Sequence, residues 1–167
     1  GVQGAMSKEE DFVEHLFIAN THNHMLFFTD KGKCYWLKVY DIPQGGRAAR
    51  GRAVVNLIGC EPEERVEAFV SVKEFDDEHY IVMSTQNGIV KKTVLSAYGK
   101  PRKGGIYAID IREGDKLIEA RITNGEHDIL LGTHEGKSIR FSESNIRPSG
   151  RKTMGVRGIR LSSKEDY

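Results

Sequence analysis

Gly155-Val156-Arg157-Gly158-Ile159-Arg160-Leu161 is the run whose reading decides the fold, because the chain spells it three times. Gly51-Arg52-Ala53-Val54-Val55-Asn56-Leu57 and Gly105-Ile106-Tyr107-Ala108-Ile109-Asp110-Ile111 share its form. In each, a glycine leads, a β-branched residue stands four places on, and Leu or Ile stands six places on. That even spacing puts both apolar side chains on one face of a strand. Each glycine is entered from a loop rich in Arg or Lys, at residues 44–50, 99–104 and 147–154.

Working outward, the rest of the chain repeats in step with this run. Val13-Glu14-His15, Val66-Glu67-Ala68 and Ile118-Glu119-Ala120 line up at spacings of 53 and 52 residues. They open strand-like runs at 12–19, 66–72 and 117–123, and second runs follow at 25–29, 80–85 and 129–133. Glycine closes a turn after each second run, at Lys31-Gly32, Asn87-Gly88 and Glu135-Gly136. Asn-Gly between apolar runs is a strong hairpin signal, since both residues tolerate positive φ. Third runs occupy 33–39, 89–95 and 137–141 before the basic loop and the glycine-led run. Residues 61–68 begin with Pro62 and charge in a helix-like way, but their alignment with the sister units favours strand.

Four short strands per unit and a period of about 50 residues predict an all-β, propeller-like stack of antiparallel blades, with units at about 11–57, 64–111 and 116–161. A lone blade cannot bury its faces, and a ring typically takes about four to eight blades. The 167 residues therefore read as an incomplete ring, residues 7–167, with a homodimer through open blade edges as one way to complete it. Gly1-Val2-Gln3-Gly4-Ala5-Met6 shows no pattern of its own in this reading and is set aside as a non-native remnant.

Net charge is +1, yet the charges are segregated. Residues 59–78 hold eight acids against Arg65 and Lys73, whereas 91–105 and 147–160 each hold five Lys or Arg and no acid. Local blocks steer a polyanion even when the whole molecule is nearly neutral. Arg47, Arg50 and Arg52 form one cluster, Lys100, Arg102 and Lys103 a second, and Arg147, Arg151, Lys152 and Arg157 a third. Arginine forks match phosphate oxygens, and the interleaved glycines let the backbone approach. In equivalent units these clusters occupy equivalent rim positions, a cationic track suited to the backbone of bent duplex DNA. Lys91, Lys92 and Arg140, on third strands, are weaker candidates, with a solvated strand face as the alternative.

Catalytic and metal motifs do not emerge. Neither Gly-x-Ser-x-Gly nor a phosphate-binding Gly-Lys-Ser/Thr loop is present. His15, His22 and His24 with Cys34 suggest a metal set, but the recurrence of His24, His79 and His127 before the second runs favours a structural role. No cofactor or metal is expected. Cys34 and Cys60 stand 26 residues apart without a CxxC, which fits reduced thiols in a cytoplasmic protein. No apolar run approaches the ~18–20 residues of a membrane span.

Several of these stretches also carry a family resemblance. Ala19-Asn20-Thr21-His22-Asn23-His24, Lys38-Val39-Tyr40, Arg50-Gly51-Arg52 leading to Val55-Asn56-Leu57, Asn87-Gly88 with Val90-Lys91-Lys92-Thr93, and residues 153–161 together resemble the C-terminal domain of the bacterial DNA gyrase A subunit. The resemblance implies a six-bladed β-pinwheel whose neighbouring blades exchange strands and whose basic rim wraps duplex DNA for negative supercoiling. About three of the six blades are then expected here, near blades two to four. Catalysis, an ATP-dependent type II topoisomerase reaction, is implied to reside in the gyrase B subunit and in the remainder of the A protein. The family's Gln-Arg-Arg-Gly-Gly-Lys-Gly box is implied just upstream of Lys8, where only the set-aside residues stand, and Gln44-Gly45-Gly46-Arg47-Ala48-Ala49-Arg50-Gly51, which looks similar, matches the equivalent loop of the second blade. Alternatives are the related domain of topoisomerase IV and a propeller that binds proteins through residues 61–78.

Overall fold

The computed structural model describes residues 24–38, 58–161, 163 and 166–167. The first unit supplies β1 (His24–Thr29) and β2 (Lys33–Lys38). The second supplies β3 (Val66–Val72), β4 (Tyr80–Thr85), β5 (Ile89–Val94) and β6 (Ile106–Tyr107). The third supplies β7 (Leu117–Thr123), β8 (Asp128–Gly132), β9 (Ser138–Ser142) and β10 (Val156–Arg157). The strands expected at 12–19 and 51–57 lie outside the described residues. Residues 62 and 63 form a turn, and strand begins at Val66, as the repeat alignment favoured.

All three hairpins close on one Thr-x-x-Gly device. The carbonyls of Thr29, Thr85 and Thr133 accept from the N–H groups of Gly32, Gly88 and Gly136 at 3.0, 3.1 and 3.0 Å. The same threonines' hydroxyls accept from the N–H groups of Lys33, Ile89 and Lys137 at 3.3, 3.2 and 3.1 Å. The glycines sit at φ of +82°, +86° and +89°, where a Cβ is strained.

The sheets do not coincide with the sequence units. Their strand orders are β3-β1-β2-β6 and β10-β5-β4-β7. Each hairpin is thus flanked by the first and fourth strands of the following unit, so a blade is sewn together from two units. The turn glycine makes this possible. Gly32's carbonyl accepts from Ala108 N–H at 2.8 Å, and Gly88's carbonyl accepts from Gly158 N–H at 2.8 Å. A Cβ on either glycine would stand 2.6 Å from the carbonyl oxygen of Ile109 or Ile159.

That crossing also shortens the fourth strand. The alternation predicts a run of seven residues, but β6 and β10 each keep only two in the ladder. Beyond them the chain dips under the neighbouring turn, where Ile109 and Ile159 are buried. The first-strand register shifts by one position as well. Thr29 pairs with Val66 and Thr85 with Leu117, so Leu117 is the counterpart of Val66, where the sequence alignment puts Ile118.

The hairpin strands at the middle of the first two sheets, β1 and β5 above all, are covered on both faces, which accounts for their nearly continuous burial. Leu26, Phe28, Cys34, Ala68, Val70 and Val72 face Ile81, Met83, Leu95 and Tyr98 across the main core. Val82, Val90 and Ile146 seat the third hairpin on the second sheet's other face.

Candidate nucleic-acid interface

The basic loops feed β6 and β10, which are edge strands. The opposite edges, β3 and β7, pack against each other. Residues 99–104 and 147–154 therefore share the edge away from that contact. The second loop is also tied to the strand that the first one feeds and to the residues just past it. The Arg151 guanidinium donates to the Tyr107 carbonyl at 2.8 Å, and Asp110 N–H donates to the Thr153 carbonyl at 3.0 Å.

Lys100, Arg102, Lys103, Arg147, Lys152 and Arg157 are exposed, and Arg151 is half-buried. Among the described residues, none of them forms an ion pair. Asp110 lines a shallow hollow with Tyr107, Ile109 and Lys152, again without an ion pair. Arg47, Arg50 and Arg52 lie outside the described residues.

Lys91 and Lys92 overturn the expectation of solvent-facing side chains. They are only 1% and 4% exposed, and adjacent positions on β5 send them to opposite faces of the second sheet. Lys91 Nζ donates to the carbonyls of Ala108 and Arg151, bridging a first-sheet segment to the third unit's basic loop. Burial and the neighbouring Arg151 push its pKa down to about 7, against the pull of Asp110. Lys92 Nζ donates to the Glu143 carbonyl at 3.1 Å, lies 3.5 Å from Glu143 Oε1, and sits 4.6 Å over the Tyr80 ring. Glu143, wholly buried, also accepts from Thr123 Oγ1 and His127 N–H, both at 2.9 Å. These two lysines tie blades together, and their donors point inward.

Arg140 is Lys92's counterpart on β9, where its guanidinium makes 3.0 and 2.7 Å bonds to Asp128 in an exposed ion pair. The same diagonal position thus carries three chemistries. His24 stacks on Trp36 at 4.3 Å, Lys92 caps Tyr80, and Arg140 grips Asp128.

Sequence reasoning missed Lys33 and Tyr107. They are register partners of β2 and β6, and the Lys33 ammonium lies 5.8 Å from the Tyr107 ring centroid. Tyr107 is 53% exposed beside the basic loops. Only the pairing of strands from different units brings the two together.

The histidines sort differently from the sequence alignment. His79 and His127 are equivalent, their carbonyls accepting from Leu95 and Glu143 N–H, both at 2.8 Å. His24 falls one place further along, level with Tyr80. No group of three or more His, Cys, Asp or Glu able to hold a metal occurs among the described residues. Cys34 is buried and burial raises its thiol pKa; Cys60 is also a free thiol. Several acids of residues 61–78 are internal ties. Glu64 accepts from Thr29 Oγ1 at 3.1 Å and from the Tyr35 hydroxyl, while Asp76 bonds His79 Nδ1 at 2.8 Å. No helix among the described residues is long and apolar enough to cross a membrane.

Comparison with known proteins agrees with the all-β, propeller-like architecture. The family model of the DNA gyrase C-terminal domain, a β-propeller, matches residues 23–69, 79–124 and 127–167. The chain belongs to this gyrase C-terminal domain family. Each matched segment of the gyrase domain opens just before a hairpin, at β1, β4 or β8.

The DNA gyrase A subunit of Clostridium acetobutylicum is 51% identical over 95% of this chain. That of Mycolicibacterium smegmatis is 45% identical over 99% of it. The chain spans 19% and 20% of those two proteins. The crystal structure of a C-terminal domain of DNA topoisomerase IV superposes with a TM-score of 0.79 at 29% identity, covering 89% of this chain and 46% of that one. The M. smegmatis alignment, at 99% of the chain, takes in most of residues 1–6, which the sequence reading sets aside.

Proposed function

We propose that this gyrase-type domain binds duplex DNA non-specifically along the edge formed by residues 99–104 and 147–154, and bends it there. The supporting observation is that, among the described residues, Lys100, Arg102, Lys103, Arg147, Lys152 and Arg157 stand exposed with no acid paired to them, on or beside two loops of which the second is tied by Arg151 to the strand the first one feeds. Arg151 anchors the second loop and offers the rest of its fork outward. Tyr107 and Lys33 extend the edge. Arg140, held by Asp128, and the inward-facing Lys91 and Lys92 are left out. Arg47, Arg50 and Arg52 continue the track by sequence equivalence.

Such contacts go to phosphates and carry no base information. In the longer protein, the domain works with the remainder of the gyrase A protein and with the gyrase B protein in the bacterial cytoplasm, holding the DNA that the type II topoisomerase reaction supercoils. Its own residues bind and position; the bond-breaking groups belong to other domains.

The test is fluorescence anisotropy with a labelled duplex of about 40 base pairs across a salt series. Serine at Lys100, Arg102, Lys103, Arg147 and Lys152 should weaken binding at least tenfold at low salt. The slope of log K against log salt should flatten by about 0.9 for each phosphate contact removed. Unchanged affinity and slope in that variant would reject the edge as the binding surface.

A further inference from the structure

We propose that Lys91 takes up a proton when the basic edge binds duplex DNA, so that a bound phosphate supplies the counter-charge this buried side chain lacks. The role rests on the DNA-binding reading of that edge and makes the edge sensitive to pH.

Two buried lysines of β5 differ in their partners. Lys92 has the Glu143 carboxylate 3.5 Å away. Lys91 forms no ion pair among the described residues, and its Nζ donates only to the carbonyls of Ala108 and Arg151. A neutral amine has two N–H donors and an ammonium three, so both bonds survive loss of the proton. The tie between the loop and the first sheet is thus kept in either state, and only the charge changes.

The surroundings leave that charge uncompensated. Lys91 pairs with Met83 on β4 and shares its face of the sheet, the face of the main core with Cys34 and Tyr98. Burial raises the pKa of both Cys34 and Tyr98, so neither is an anion near neutrality. From β10, Arg157 pairs with Ile89, two places before Lys91, and adds another cation. The basic loop presents Arg151 and the exposed Lys152. Asp110 is the one acid that acts on Lys91, and its side chain stands exposed to solvent screening. Burial first and Arg151 second bring the Lys91 pKa down to about 7 against the pull of Asp110.

Arg151 connects this buried group to the edge. Its carbonyl rests on Lys91 Nζ and its guanidinium on the Tyr107 carbonyl. A phosphate drawn to Lys152 or to the rest of the Arg151 fork therefore lands on the residue that Lys91 holds. An anion there favours the ammonium. The proton passes from solvent to the Nζ lone pair, and no other bond is made or broken. Linkage fixes the sign. Affinity is greatest at low pH, where Lys91 is charged with or without DNA, and falls as pH rises until it is neutral in both states.

Anisotropy of a labelled duplex at fixed salt, from about pH 6 to about 9.5, tests this. Wild-type affinity should fall about three- to tenfold over that range, as for a phosphate several ångströms away that raises the Lys91 pKa by about half a unit to one unit. Lys91→Met, its fold checked by circular dichroism, should lose that dependence, and so should Lys91→Arg, which is cationic throughout. Calorimetry in two buffers of different ionisation enthalpy should show proton uptake by the wild type that both variants lack. A wild-type affinity unmoved by pH overturns the inference. So does a pH dependence that Lys91→Met and Lys91→Arg retain, which would leave Lys91 only a prop for the loop. The five-serine variant separates this outcome from failure of the edge. If it binds as tightly as wild type, both readings fall; if it binds weakly while pH leaves the wild type unmoved, only the proton uptake falls.

Discussion

At the scale of single residues, the two buried lysines carry the sharpest expectations. Lys91 holds its proton less tightly folded, at about 7, than unfolded, near the ordinary 10.5. Between those values the unfolded chain binds more protons, so stability rises with pH from about 7 to about 10.5, by at most ~1.4 kcal/mol per pH unit. Below that window the cost of burying the charge is present in full. Urea midpoints of wild type and Lys91→Met across pH 6–10 check this: the wild type should gain stability relative to the variant as pH rises. Lys92 behaves differently, because Glu143 is its buried partner. Glu143→Leu leaves an ammonium without a counter-charge and should cost about 3–5 kcal/mol, whereas adding Lys92→Met to Glu143→Leu should recover most of the loss. A double-mutant cycle by urea unfolding measures it, and additive losses would deny the coupling. Neither role was legible in the sequence. Alternation tells a solvated face from a covered one only when one face is wet, and β5 has both faces covered by neighbouring blades.

At the scale of elements, the hairpins were legible because each carries its own local signal. Thr85, Gly88 and the apolar runs around them specify turn and register within a dozen residues, and β4 and β5 appear where the spacing puts them. The fourth strands were less so, because their length depends on a contact with another unit. Only glycine at position 88 lets Ile159's carbonyl pass so close to the turn. Gly88→Ala meets both the positive φ of +86° and the 2.6 Å clash, so it should destabilise by more than the ~1 kcal/mol of a strained turn alone. Gly136→Ala, at φ +89° with open space around it, should cost only the strain. Thermal melts of the two variants make the comparison, and equal losses would mean the crossing contact contributes nothing.

At the scale of the whole molecule, periodicity marks recurring units but not their stitching, which only the family resemblance implied. Sequence periods mark where a motif recurs; which hairpin a strand joins is settled by long-range hydrogen bonds such as Ile159 N–H to the Gly88 carbonyl. The charge pattern was legible in another way, since acid-free loops at equal phase must land on equivalent edges once the units stack. For residues 99–104 and 147–154 that placement has a consequence for binding. On the proposed function, two loops on one edge contact one duplex, so their electrostatic contributions to the salt dependence should add. The triple variant Lys100→Ser, Arg102→Ser, Lys103→Ser and the double variant Arg147→Ser, Lys152→Ser should each flatten the log–log salt slope. Combined, they should flatten it by the sum of the separate changes, each contact contributing about 0.9. Were the loops serving separate ligands, removing one set would leave the slope measured on a single labelled duplex unmoved. Additivity across the two loops is therefore the signature of a continuous track, and a slope that responds to one loop alone would confine DNA to that blade.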